Sequence, residues 1–457
     1  MNSLITPLTR PSNSIRPHRP FTTLSALALG VALLAVALPA WGQAPLLHHS
    51  QAKRTAVVPA ASKANVGDTG VRMHANVRYM GGFSPEELPP YSGYGYETPA
   101  SLACLYGLAP HTPGCNPNVT VKDSTAGSQT IAVVDAYDDP NAAADLAYFS
   151  SQFGLPYSNS KFKVVYAQGS QPAEDPTGGW ELEEALDIEY SHAMAPNATI
   201  YLVEAASNYD SDLFPAIEVA SNLVVCGMTT TCPAGSKGKG EVSMSFAGGE
   251  FAQEASLDSF FTTPGVVYLA ASGDSPGVTY PCASPNVICA GGTTDSRSLE
   301  NGNLIAQITW TEAGGGISSY EPIPKYQSQN PFIAHQLQGY RGVPDLAALA
   351  NLDTGVWLWD TFPTDGGETG WFIAGGTSLA TPLLAGIINS AGDFAASSTA
   401  ELTKLYSSRG FSDWGSSTDD RGGFTDIVYG SCNYYASSYA VPGWDQCTGL
   451  GSPDHLR

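Results

Sequence analysis

Residues Gly375-Gly376-Thr377-Ser378-Leu379-Ala380-Thr381-Pro382 set the reading of this chain. Two glycines allow a tight turn and leave room above the backbone. Ser378 then opens an apolar, alanine-rich run, Leu379 to Ile388, with the pattern of a buried helix. A hydroxyl at a helix N-terminus sits among free N–H groups that favour developing negative charge, the setting an acyl-transfer nucleophile needs. Taken alone, Thr377 or Ser378 reads equally well as a simple helix cap, so the partners of Ser378 decide.

Upstream, apolar strands alternate with helices. Thr130 to Val134, Lys163 to Tyr166, Thr199 to Glu204, Glu241 to Phe246 and Val266 to Ala271 read as strands. Asn141 to Phe153, Glu181 to Met194 and Phe214 to Leu223 read as helices. This order predicts an α/β fold, a mostly parallel sheet with helices on both faces. Function in such sheets gathers at the carboxyl ends of strands, and Ser378, following the strand-like Trp371 to Ala374, is expected at such an end. Thr229 to Gly240, rich in Gly and Lys, reads as a surface insertion.

A serine nucleophile needs a base held in place by a third group. Of eight histidines, His192 in Tyr190-Ser191-His192-Ala193-Met194 is the one on a helix end, and none lies in a His-Gly-Thr-His setting. The helix Glu181-Leu182-Glu183-Glu184-Ala185-Leu186-Asp187-Ile188-Glu189 offers carboxyls instead. Glu183 and Asp187 are four apart and share a face. Two carboxyls within reach share a proton and separate their pKa values, so one can serve as base in acid, where an imidazole of pKa about 6.5 is charged. The plain alternative is a solvated acidic face. Ala271-Ser272-Gly273-Asp274-Ser275 follows an apolar strand and can present Asp274 to a cleft. Protonated, Asp274 would donate to an oxyanion; otherwise it is an ordinary turn residue.

Composition limits the partners. A net charge of −22, from 42 acidic against 20 basic residues, argues against nucleic acid and anionic membranes. Few fixed positive charges also suit work in acid. Arg10, Arg16 and Arg19, the apolar run Leu24 to Leu38, and the small Gly42 and Ala44 have the order of a secretory signal over 1–44, with an uncleaved anchor as the runner-up. A secreted protein follows, soluble and free of the membrane once the signal is cut, with the periplasm as the alternative; a monomer is expected. Pro45 to Pro90 reads as a linker or short pro-segment, and 91–457 as the main domain. Eight cysteines form four sequence-local pairs (Cys104/Cys115, Cys226/Cys232, Cys282/Cys289, Cys432/Cys447), for which neighbour pairing is expected. None has zinc-ligand spacing with histidine.

Together these motifs, in order across Tyr91 to about Pro453, resemble the sedolisins, serine-carboxyl peptidases of subtilisin-like fold. Glu183 and Asp187 match the family's Glu-x-x-Leu-Asp element, Asp274 its Ser-Gly-Asp-Ser element and Ser378 its Gly-Thr-Ser-x-x-x-Pro nucleophile; Gly314-Gly315-Gly316-Ile317-Ser318 and Arg341-Gly342-Val343-Pro344-Asp345 match further landmarks. The resemblance implies that Ser378 attacks the peptide carbonyl, Glu183 takes its proton, Asp187 tunes Glu183, and protonated Asp274 stabilises the oxyanion. The expected activity is acid endopeptidase or tripeptidyl-peptidase action on protein or peptide substrates.

The resemblance also implies one calcium ion, held by the carboxylates of Asp426 and Asp445 and the carbonyls of Ile427, Val441 and Gly443, hard oxygen ligands of the kind calcium takes. Val441 departs from the more usual Gly, and Val resists positive φ; Cys432 and Cys447 bracket the loop. A second departure is the stretch before the domain: sedolisins carry a large folded prosegment that blocks the cleft, and only Pro45 to Pro90 stands in its place here. Two other readings remain at this stage: a non-catalytic exported binding protein on the same fold, and a neutral hydrolase using His192.

Overall fold

The structure, a computed structural model, describes residues 55–81, 95–228, 238–408, 423–432 and 438–456. The signal segment, Cys232 and most of the Gly/Lys-rich insertion lie outside these residues.

The central sheet has eight strands: β1 (Thr130–Ala136), β2 (Phe162–Tyr166), β3 (Thr199–Ala205), β4 (Gly240–Met244), β5 (Val266–Ala271), β6 (Ile288–Arg297), β7 (Leu304–Thr309) and β8 (Leu346–Leu349). Their order is β7-β6-β5-β4-β1-β3-β2, with β8 also on β6. Every pairing is parallel except the edge pair β6/β7. The strands are apolar along most of their length because a parallel sheet covered on both faces buries successive side chains alike; all residues of β5 and all but the first of β1 are buried.

Four helices matter for the site: α1 (Ala142–Phe153), α2 (Gly179–Met194), α3 (Asp210–Cys226) and α4 (Thr377–Ala391). Helices cover both faces, as two contacts show. Glu241 on β4 is level with Val267 on β5, so Glu241 and Tyr268 point to opposite faces. Asn389 of α4 donates to Glu241 (2.8 Å), whereas Ser221 of α3 bonds the Tyr268 hydroxyl (2.7 Å). The helix α2 packs on α4. Gly386 permits this approach, since a Cβ there would lie 2.5 Å from Met194 Cβ and 3.0 Å from Ser191 O.

Two expectations change. The strand Gly370–Gly375 before Ser378 is not in the central sheet; it pairs antiparallel with Val356–Asp360 and with Arg78–Met80 in a separate three-stranded sheet. The apolar run Glu241 to Phe246 is broken at Ser245: Phe246–Gly249 joins a second small sheet with His74–Ala75 and Thr279–Tyr280. Residues 55–81, within the stretch read as linker or pro-segment, are packed on the domain through these two small sheets rather than running free.

Three of the expected disulfides are described, Cys104–Cys115, Cys282–Cys289 and Cys432–Cys447. Cys226 is also disulfide-bonded. Among the described residues no helix is long and apolar enough to cross a membrane.

Candidate active site

The helix α4 begins at Gly376, which takes φ 107° and carries no side-chain cap. Glycine is required there twice over. An L side chain resists that φ, and a Cβ would lie 1.9 Å from Asn76 O and 2.8 Å from Asp274 Oδ2. The uncapped helix start leaves the Ser378 N–H free to point outward, and it donates to Asn76 O at 3.2 Å. Ser378 Oγ donates to Ser245 O (3.1 Å) and accepts from Asn76 N (2.9 Å). The serine is fully buried.

Pro382 shapes this end of the helix. It has no N–H, so the Ser378 carbonyl lacks its usual partner four residues on. Ser245 Oγ donates to that carbonyl at 3.2 Å and also lies 2.8 Å from Asp187 Oδ1. The break in the strand at Ser245 frees both its carbonyl and its hydroxyl for these contacts.

All residues of α2 are buried, including Glu181, Glu183, Glu184, Asp187 and Glu189, so the solvated-face alternative fails. Burial, and then the neighbouring Asp187, push the Glu183 carboxyl well above the usual range; hydrogen bonding from Ser378 opposes the rise. Neither Glu183 oxygen makes a hydrogen bond of normal geometry, and the Ser378 hydroxyl is turned to Ser245 O. Asp187 is raised well above its usual range by burial, opposed by Ser245.

Asp274 reaches the same place from the end of β5. Its Oδ1 accepts from Thr377 N (2.8 Å) and Thr377 Oγ1 (2.9 Å). Arg78 lies against Oδ2 (3.4 Å) and donates to Asp274 O (2.9 Å). Burial lifts the Asp274 pKa to about 6, with the Thr377 N–H and Arg78 pulling it down. Ser378, Glu183, Asp187 and Asp274 thus converge. His192 does not: nine residues along α2 from Glu183 correspond to about 13 Å, and burial lowers its pKa to about 4.

Sequence reading missed Asp135, the one acid of β1. It is level with Glu204 on β3 and fully buried. Burial, then Asp187 and Glu183, push its carboxyl well up. An acid interrupting the apolar Thr-Ile-Ala-Val-Val-Asp-Ala strand was the available signal.

The C-terminal candidates form a separate group. Gly443 N donates to Asp426 Oδ2 (2.9 Å) and Val441 N to Asp445 Oδ2 (3.2 Å), so both carboxylates reach the 441–443 loop. Gly443 takes φ 96°, and Val441 is not among the positive-φ residues, which removes the objection to valine there. Asp445 is buried, and its pKa rises to about 7; a buried carboxylate of this kind is stabilised by a cation. Two carboxylates beside loop carbonyls suit calcium. Gly314 and Gly315 lie between this loop and Asp274: Gly314 N donates to Gly273 O and Gly315 N to Gly277 O, both at 2.8 Å. A Cβ on Gly315 would sit 2.1 Å from Gln446 O.

No protein-family model matches the chain. Kumamolisin of Bacillus sp. (strain MN-32) is 32% identical over 364 residues, 72% of this chain and 59% of that protein. Sedolisin of Pseudomonas sp. (strain 101) is 25% identical over 72% of this chain and 57% of its own length. Tripeptidyl-peptidase 1 of Dictyostelium discoideum is 24% identical over 74% and 55%. The chain thus spans between half and three-fifths of these relatives. Among solved structures, Pseudomonas sedolisin, a serine-carboxyl proteinase complexed with pseudo-iodotyrostatin, superposes with a TM-score of 0.58 at 22% identity, covering 78% of this chain and 95% of that one. By these relatives and this fold, the chain belongs to the sedolisin family and has its subtilisin-like α/β architecture.

Proposed function

We propose that the chain is a secreted, acid-active serine-carboxyl peptidase that cuts peptide bonds through an acyl-enzyme on Ser378. The observation that carries this reading is the convergence of Ser378, at an uncapped helix start, with three carboxyls, each pushed above its usual range by burial.

Ser378 Oγ attacks the substrate carbonyl carbon and its proton passes to Glu183. The carbonyl oxygen, now an anion, faces the Ser378 N–H and the protonated Asp274 carboxyl. Glu183 returns the proton to the leaving amine. Water then attacks the acyl carbon, giving a proton to Glu183, and Ser378 departs with one. Asp187 supports Glu183 from the same helix face. The Asp274 role needs acid, because an ionised Asp274 would repel the oxyanion. Asp426, Asp445 and the carbonyls of Ile427, Val441 and Gly443 would hold one calcium ion, which would neutralise the two carboxylates and brace the C-terminal loop.

Digestion of an unfolded protein from pH 3 to 8, with product mapping, tests this. Cleavage should be confined to the acidic side and should be lost in Ser378→Ala and Glu183→Gln. Activity that climbs toward neutral pH, or that survives Glu183→Gln, would overturn it.

A further inference from the structure

We infer that Trp310, Glu312 and the Asp274 carbonyl form a subsite for a basic side chain, Arg ahead of Lys, on the second residue after the bond that is cut. It rests on the peptidase reading above and gives that reading a substrate preference.

The register comes from the backbone over the serine. Asn76 O accepts from Ser378 N (3.2 Å) and shares the point above Gly376 with Asp274 Oδ2, the place a reacting carbonyl takes in the mechanism. Arg78 is the second residue after it and is level with Gly375, where 78–80 pair antiparallel with 373–375. A substrate that displaces this stretch meets the same strand edge, and backbone pairing gives it the same register.

Three groups converge on the guanidinium at that position. Its Nη2 donates to Asp274 O (2.9 Å), its Nη1 pairs with Glu312 Oε2, and its central carbon stands 5.3 Å from the centre of the Trp310 ring. An aromatic face, a carboxylate and a carbonyl together suit a cation, and a planar one best, because it can stack and donate at once. The same set offers an acidic side chain no donor and one repelling charge.

These groups are held by the domain and not by Arg78. Trp310 is buried in a small core with Ala313, Ala350 and the Cys432–Cys447 disulfide, and its backbone N–H donates to Gly292 O at 3.0 Å. Gly314 N donates to Gly273 O (2.8 Å), tying the turn that carries Glu312 to the turn that carries Asp274. The subsite therefore stands before a substrate arrives, and little ordering is left for binding to supply. A cation there is also compatible with catalysis. Burial holds the Asp274 pKa at about 6 even with Arg78 beside it, so Asp274 keeps its proton at pH 5.

The test is digestion of a mixture of unfolded proteins at pH 5, with the second residue of every new N-terminus compared with its abundance in the mixture. In the wild-type chain Arg should be enriched about tenfold over Gln, with Lys between them and Glu below, the size expected from an exposed ion pair and a cation–π contact together. Glu312→Gln changes a half-exposed side chain outside the catalytic groups. It should digest at the same overall rate, with the Arg enrichment reduced to about threefold, the part left to the Trp310 ring. Glu312→Lys should turn the preference round, so that Glu exceeds Arg at this position. No enrichment of basic residues there in the wild-type chain, or an unchanged enrichment in the Glu312 variants, overturns the inference. A wild-type chain that digests nothing overturns the peptidase reading instead.

Discussion

The Ser245 hydroxyl lies 2.8 Å from Asp187 Oδ1 while also within 3.2 Å of the Ser378 carbonyl. A hydroxyl has one proton to give. The carbonyl can only accept, and Pro382 has deprived it of its usual helical partner. Both contacts are satisfied together when Asp187 carries a proton and donates it to Ser245, which donates to Ser378. The rise in the Asp187 pKa on burial points the same way. In the proposed mechanism Glu183 is then the carboxyl of the pair left to act as base, with a neutral neighbour rather than a second anion.

Replacing Ser245 by Ala leaves the Ser378 carbonyl and the Asp187 carboxyl without this partner. The expected cost is about 1–3 kcal/mol of stability, with kcat reduced because the first turn of α4 loses its tether. Ser245→Thr, which keeps the hydroxyl, should recover most of both. Thermal unfolding and peptide hydrolysis of the two variants at pH 4 measure this; equal losses in Thr and Ala would refute the role given to the hydroxyl.

Asp274 is expected to act through its proton. Asp274→Ala should lower kcat by about 10²–10³-fold, the usual loss for one oxyanion donor, with a smaller change in KM. Asp274→Asn keeps an N–H donor that never ionises. It should retain more activity than Ala and lose less of it between pH 5 and 7, the range around the Asp274 pKa of about 6. Parallel pH profiles of kcat for the three proteins decide; identical profiles for wild type and Asn would remove Asp274 from the alkaline limb.

Local pattern carried much of this site. The i, i+4 acids of α2, the glycine-serine turn and the strand-turn at Asp274 depend on neighbours in sequence, so their residues could be read directly. What escaped was long-range. Residues 74–80 pair with two strands in stretches of two and three residues, too short to leave a period, and their polar composition looked like a linker. The strand before Ser378 read as apolar whichever sheet it joined. The break at Ser245 was hidden for a related reason: one residue that leaves a sheet does not interrupt an apolar run. Asp135 was visible but unexplained until the register set it beside the α2 acids.

The C-terminal loop should respond to calcium. Saturating the site at 100 times its Kd should stabilise the fold by about 2.7 kcal/mol, and a chelator should reverse it. Asp426→Asn and Asp445→Asn should each abolish most of the shift, while the disulfide Cys432–Cys447 keeps the apo loop closed. Melting curves with and without calcium measure this. An equal shift in wild type and both variants would mean that the ion binds elsewhere.

Stability itself should fall as pH rises, and the sign follows from the buried acids. Glu184, Asp187, Glu189 and Asp135 all have folded-state pKa values well above the ordinary range, mainly through burial; Asp274 lies at about 6, Asp139 at about 7 and Glu181 at about 9. The unfolded chain ionises such groups near pH 4. Below that pH both states are protonated and the folded state carries no penalty. Above it the unfolded chain gives up protons that the folded chain must keep, so stability is lost from about pH 4 through the folded pKa values, up to about pH 9. Each unit of elevation corresponds to about 1.4 kcal/mol per group. His192, lowered to about 4 by burial, works in the opposite direction, losing its contribution as pH falls below about 6.5, but it is one group against many. Calorimetry of Ser378→Ala in chelator, a form that cannot digest itself, should therefore give a Tm highest near pH 4 and dropping steadily to pH 8. A Tm that is flat or rises over that interval would show that these carboxyls are ionised in the folded protein, and the case for an acid mechanism would go with them.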